Sequence, residues 1–330
     1  MDRFEITCRI IKECNKDIKV GGYGIRMDYG RADRKEFLSM WTKREYQPDF
    51  ISIYYNSYER GSDGLDTFAK RSSDDDGFVH LIEKELAVIA AAGMGGLPVY
   101  ITHCNLTPSD RNYIHDTNFK GSYIVKNVIN LWGKTASMAY SVGSDIQVCL
   151  LIRPRCCSAE AACWPKMDFE TFRVCFLFLN RLFPCLVGKD KNYLVTTDGH
   201  DNYRIVCHNQ QKLNYNYYLT PETDLEKESM WKYYESRCKL KLQLQLQGVR
   251  EGNYCIKVNR INDWNGNVLG IWKEMGYENE LSKNDIRHFR RVCEPKLTIK
   301  EANTQNGMLA VDEELSANEI ALISIKYVMS

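Results

Sequence analysis

The stretch that most constrains this chain is Leu97-Pro-Val-Tyr-Ile-Thr-His-Cys-Asn-Leu-Thr-Pro-Ser-Asp-Arg-Asn-Tyr-Ile-His-Asp116. Pro98 has no N–H for an inner ladder, so it opens a strand rather than sitting inside one. Val99, Tyr100 and Ile101 form a short β-favouring run. Thr102, His103 and Cys104 then place polar chemistry at the carboxyl end of that strand. A loop rich in Pro, Ser, Asp and Asn follows, and Phe119 to Trp132 reads as a helix. Strand, polar strand end, loop and helix make the repeating unit of barrels and doubly wound α/β folds, which gather functional groups at strand carboxyl ends.

The preceding residues continue that alternation. Residues 4 to 15 predict a helix with Phe4, Cys8, Ile10 and Ile11 near one face. Ile18 to Val20 reads as a strand running into Gly21-Gly-Tyr-Gly24. These glycines lack the G-x-G-x-x-G spacing and the Lys-Ser/Thr of phosphate-binding loops, so they read as a backbone requirement at a strand end. A helix from Arg34 to Lys43 and a strand from Pro48 to Tyr55 come next. Residues 59 to 77 are charged and Gly-rich and predict a surface loop. Its Asp74-Asp75-Asp76 run suits a helix entry better than a calcium loop, for which the spacing is absent. Phe78 to Ala92 predicts a helix that Gly93 to Gly96 ends.

The run P-V-Y-I-T followed by S-x-R-N-Y-I-x-D-T and K-G-S-Y-I-V-K-N resembles glycoside hydrolase family 39, the retaining β-xylosidases. It most resembles the branch fused to AraC-type transcriptional regulators. The resemblance implies that Gly21–Gly24 ends the fifth barrel strand, that Pro48–Tyr55 is the sixth, and that Ala136 to Asp145 is the eighth. In that family the strand around residue 103 reads Thr-Glu-Trp or Thr-Glu-Tyr, and the Glu is the nucleophile. Here His103 holds the nucleophile position and Cys104 the aromatic one. Tyr54 stands where relatives often carry a His, and either donates a hydrogen bond to a sugar or fills the barrel mouth. The resemblance also brings Tyr140 and Asp145 to the sugar site, while Ser141 replaces a platform Trp. The family's acid/base Glu belongs to the fourth strand, which this chain does not contain.

Residues 149 to 175 leave the family pattern, which returns at Phe178-Leu-Asn-Arg-Leu182. Phe169-Glu-Thr-Phe-Arg-Val-Cys-Phe176 can be encoded so that the next reading frame gives Leu-Lys-Pro-Ser-Gly-Phe-Ala, the family motif missing here. The patch therefore reads as out of frame, its cysteine density incidental, and it is expected to be a poorly packed connector. From Lys191 onward the pattern is β-rich. Residues 193–197, 203–208, 240–246, 254–258, 297–300, 308–311 and 320–325 read as strands, with Ser282 capping a helix over 283 to 293 before Pro295. Strands at this spacing predict a β-sandwich.

The fold class expected is thus an α/β partial TIM barrel, the second half of a (β/α)8 barrel, followed by an all-β sandwich. The expected domains are a half-barrel over 1–148, a connector over 149–181 and the sandwich over 182–330. Charge is balanced, 44 basic against 43 acidic residues, which leaves no electrostatic footprint for nucleic acid. No apolar stretch is long enough to span a bilayer, and the first residues lack a signal-peptide pattern, so the expectation is a cytoplasmic chain without membrane contact. The cysteines lack paired ligand spacing, so no metal and no cofactor are expected. His200 and His208 are assigned no chemistry. The function implied by the resemblance is that of a β-xylosidase-type protein acting on O-glycosyl bonds, or derived from one, and inactive because both catalytic carboxyl groups are missing. Its implied ligand is a β-xyloside or xylo-oligosaccharide. The alternative is the sugar-sensing portion of an AraC-type regulator.

Overall fold

The computed structural model describes residues 2–26, 34–56, 58–62, 67–106, 112–140, 171–278 and 281–329. The chain forms two compact units, Met1–Pro108 with Leu131–Gly143, and Ser109–Asn130 with Ser144–Ser330.

In the first unit, helix α1 (Asp2–Cys14) precedes strand β1 (Gly22–Arg26), followed by α2 (Arg34–Trp41) and β2 (Ile51–Asn56). A hairpin of β3 (Tyr58–Ser62) and β4 (Thr67–Arg71) leads to α3 (Gly77–Ala91), β5 (Val99–Asn105) and, after helix α4 (Asn118–Leu131) of the second unit, β6 (Ser137–Tyr140). The strands β1, β2, β5 and β6 lie side by side in that order, all parallel. Ile51, Ile53, Val99 and Ile101 are buried, and Tyr55 stacks on Phe78 of α3 at 5.4 Å between ring centroids. Strand alternation therefore turns Ile51, Ile53 and Tyr55 toward the helices, and Ser52 and Tyr54 to the other face.

Local chemistry explains the departures from the sequence expectations. The first strand starts at Gly22 instead of Ile18, because the Val20 N–H donates to Asp49 Oδ2 at 2.8 Å. Lys12 Nζ reaches the same oxygen at 2.8 Å, tying α1 to the start of β2 and holding the Asp49 carboxyl below its usual range. A Cβ on Gly21 would stand 2.3 Å from the Phe50 carbonyl oxygen, so close backbone approach explains that glycine. On α1, Phe4 packs edge-on to Trp41 and Cys8 is buried, but Ile10 is exposed, contrary to the expected face. Residues 59 to 77 are not a plain loop. The β3–β4 hairpin pairs Tyr58 with Arg71 through Ser62 with Thr67, a ladder that the charged sequence conceals because neither strand alternates. At the entry to α3, Asp74 accepts from the Asp76 N–H and contacts His80 Nδ1 at 2.7 Å.

The second unit holds α5 (Thr171–Asn180), β7 (Cys185–Asp190), β8 (Tyr193–Thr197), β9 (Tyr203–His208) and α6 (Tyr215–Leu219). It continues with β10 (Leu240–Gln247), β11 (Asn253–Ile261), α7 (Val268–Glu274), α8 (Lys283–Val292), β12 (Lys296–Asn303), β13 (Met308–Leu315) and β14 (Ile320–Val328). Helix α5 corrects the expectation for residues 171–175: Cys175 and Phe178, one helical turn apart, are both buried. Ser282 and Asp285 form the reciprocal capping box of α8. An antiparallel six-stranded sheet, ordered β12-β11-β14-β9-β8-β7, faces the pair β10-β13. Leu242 and Leu246 of β10, Leu309 and Val311 of β13, Tyr254, Ile256 and Val258 of β11, and Ile323 and Ile325 of β14 share one core. His208 is buried at the end of β9, its Nε2 2.9 Å from the Lys191 carbonyl and its Nδ1 accepting from the Gln210 N–H.

One ion network bridges the two sheets. Arg260 of β11 donates to Glu313 of β13 and, at 2.7 Å, to Glu319, while Lys300 of β12 reaches Glu313 at 2.6 Å. Both glutamate side chains are nearly inaccessible to solvent, 2% and 3% exposed. Removing one member leaves a buried charge without its counter-ion, which costs far more than the intact network contributes. Arg260→Met is expected to lower unfolding stability by about 3 kcal/mol, measured by urea denaturation. A midpoint unchanged from wild type would show that the bridge is dispensable.

Candidate functional site

The site is built at the carboxyl ends of β2, β5 and β6. Along β2 and β5 the parallel register pairs Ile53 with Ile101, then shifts so that Tyr54 pairs with His103. Toward β6 it pairs Ile101 with Met138, then Cys104 with Tyr140. Strand β5 thus carries one residue more than either neighbour over this span, a bulge at Thr102-His103. Thr102 Oγ1 donates to the Ile53 carbonyl at 3.2 Å. The bulge re-aims His103 onto the face of Tyr54, and the two rings meet edge to face at 5.8 Å and 77°. Both side chains are half-buried. The Tyr54 hydroxyl makes no hydrogen bond among the described residues.

Tyr140 is positioned differently. Its hydroxyl donates to Asn105 Oδ1 at 2.5 Å and accepts from the Leu106 N–H at 3.2 Å. Asn105 Oδ1 also takes the Leu106 N–H at 2.7 Å, so the two side chains tie off the end of β5. Asn105 escaped the sequence reading, although a polar residue two positions past His103 at a strand end was the available signal. Cys104 is buried, its sulfur 3.5 Å from the Ala139 carbonyl. Desolvation pushes its thiol up to about 12, so it stays protonated near neutral pH and is no nucleophile.

The structure therefore brings Tyr54 and His103 into contact and sets Tyr140 on the neighbouring strand, opposite Cys104. Asp145, with Ser141 and Ser144, lies outside the described residues. Among the described residues, no group of three His, Cys, Asp or Glu side chains is placed to hold a metal ion. No described helix is long and apolar enough to cross a membrane.

This fold is shared with solved glycoside hydrolases. A GH39 enzyme from Xanthomonas axonopodis pv. citri superposes with a TM-score of 0.75 at 18% identity, over 99% of this chain and 64% of that one. A monomeric β-xylosidase from Caulobacter crescentus CB15 gives a TM-score of 0.75 at 20% identity, over 98% and 64%. The sequence model of glycosyl hydrolases family 39 matches residues 1–160. A β-xylosidase of Geobacillus stearothermophilus is 23% identical over 337 residues, covering 98% of this chain and 61% of that protein. An uncharacterized HTH-type transcriptional regulator of Staphylococcus aureus (strain COL) is 22% identical over 232 residues, 69% of this chain and 29% of its own. The chain thus spans less than two thirds of the length of these relatives.

The hydrogen bonds separate the two tyrosines experimentally. Tyr140→Phe loses a donor and an acceptor at the end of β5 and is expected to cost about 1 kcal/mol in urea unfolding. Tyr54→Phe loses no hydrogen bond of the fold and is expected to stay within about 0.5 kcal/mol of wild type. Equal losses for the two variants would mean that Tyr54 is structural.

Proposed function

We propose that this chain is a family 39 protein that recognises xylosides and has lost the chemistry of retaining hydrolysis. The parallel sheet is read as the second half of a (β/α)8 barrel over residues 1–148, joined by a connector over 149–181 to a sandwich domain over 182–330. The observation that carries the reading is His103, held against Tyr54 at the bulge, where the family pattern has its nucleophilic Glu. Retaining hydrolysis needs two carboxyl groups about 5 Å apart, one to attack and one to move the proton. The segments Gly22–Arg26, Ile51–Asn56, Val99–Asn105 and Ser137–Tyr140 contain neither Asp nor Glu. An imidazole cannot form the glycosyl ester, and in its neutral form it gives no negative charge to an oxocarbenium ion. What remains supports binding: Tyr54 offers a hydroxyl, and the tyrosine and histidine rings offer apolar edges for the C–H faces of a sugar. Tyr140 and Asp145 complete the proposed sugar site.

The second reading, a sugar-sensing portion of an AraC-type regulator, is favoured by the similarity to HTH-type regulators over 69% of the chain. Binding without turnover suits a sensor, so one pair of measurements serves both readings. The purified chain is expected to release no chromophore from aryl β-xylosides above the buffer rate. In calorimetry, xylo-oligosaccharides are expected to give saturable heat that Tyr54→Ala weakens about tenfold, the loss of one to two kcal/mol. Turnover that disappears in His103→Ala would overturn the loss of catalysis. Absence of heat at millimolar xylose and xylo-oligosaccharide would overturn the binding site.

A further inference from the structure

The six-stranded sheet of the second unit carries a cationic groove on the face opposite its core. Ile205, Ile256, Val258, Ile323 and Ile325 point into the core, so alternation places Arg204, Cys255, Lys257, Ser324 and Lys326 on the other side. Arg204 of β9 is opposite Ser324 of β14, which is opposite Lys257 of β11, in one row across three strands. Lys326 sits two residues along β14 from Ser324, beside Cys255. At about 4.8 Å between strands, the Arg204 and Lys257 backbones are about 10 Å apart. The cavity they line with Phe183 and Asn202 has a volume of ≈ 370 Å³, the scale of pockets that hold small ligands.

Three features make this more than a charged surface. Arg204 is fixed: its guanidinium lies over the Phe183 ring at 4.4 Å and donates to the Arg181 carbonyl. Burial lowers the Arg204 pKa, the Arg181 charge adds to that, and the Asp198 charge opposes it. Lys257 and Lys326 form no ion pair among the described residues. The nearby carboxylates are engaged or set apart. Asp198 accepts from the Asn202 amide and from the His200 and Asn202 N–H groups, Asp201 faces Arg250, and Glu301 stands on the edge strand β12 beyond Cys255.

We propose that this groove binds a sugar-sized organic anion, its carboxylate or phosphate held between Arg204, Lys257 and Lys326, and its hydroxyls meeting Ser324 and Asn202. A pre-fixed guanidinium flanked by two flexible ammonium groups suits one anionic group on a small polyhydroxylated body. This site is separate from the strand-end site of Tyr54 and His103.

Calorimetry on the full chain tests it with glucuronate, glucose 6-phosphate and glucose as probes. One or both anions are expected to bind with saturable heat, and which one does identifies the anionic group. Glucose is expected to give no heat at the same concentration. Affinity is expected to fall with added salt, and to fall about tenfold in Arg204→Gln and in the double variant Lys257→Ala/Lys326→Ala, the loss of one to two charge-assisted hydrogen bonds. The two lysines are exposed, so their variant keeps the test valid where Arg204→Gln disturbs the fold. Tyr54→Ala should leave anion binding unchanged, which separates this groove from the xyloside site. No saturable heat with either anion, binding of glucose equal to that of the anions, or full affinity in the lysine double variant would overturn the proposal.

Discussion

The site depends on one extra residue in a parallel ladder. If β5 matched β2 and β6 residue for residue, strict alternation would carry Thr102 opposite Tyr54 and turn His103 to the helix-facing side with Ile53 and Ile101. The bulge at Thr102-His103 breaks that rule locally. Hydrophobic alternation sets the register before it, through Ile51 with Val99 and Ile53 with Ile101, and the shifted register after it brings Tyr54 to His103. Cys104 then takes the helix-facing place, buried and protonated. The bulge thus decides which face of the sheet the imidazole occupies.

Much of this was legible in the residues. The β-favouring run behind Pro98, the polar strand end and the following helix identified β5 and α4, and the alternating Leu and Gln of residues 240 to 246 identified a sandwich strand facing one core. Ser282 as a cap and Pro295 as a stop marked the helix that the structure places at Lys283–Val292. What was not legible depended on distant partners. The β3–β4 hairpin is held by cross-strand pairing that leaves no hydrophobic period, and β1 is displaced from Ile18 to Gly22 by a carboxylate almost thirty residues away. Asn105 looked like a loop polar residue until Tyr140 was placed beside it.

The bulge itself was also hidden, because an extra residue is a property of three strands compared and not of one strand read. Family resemblance supplied His103 and Tyr54 separately, and only the shifted register puts their rings in contact. Gly21, just before β1, shows the complementary case. Its presence was plain in the sequence, yet the cause was a close approach to Phe50 that only the fold reveals.

The two units hold together by different means, and this bears on what each tolerates. The second unit has a continuous apolar core between two sheets, with an ion network across it whose carboxylates are excluded from solvent. Changes at the strand ends of the first unit remove none of those contacts. Among the described residues the parallel sheet ends at β1 on one side and β6 on the other, and an unpaired parallel edge exposes backbone groups that a closed barrel would satisfy. At residue 103 a half-buried imidazole packs edge to face with the Tyr54 ring.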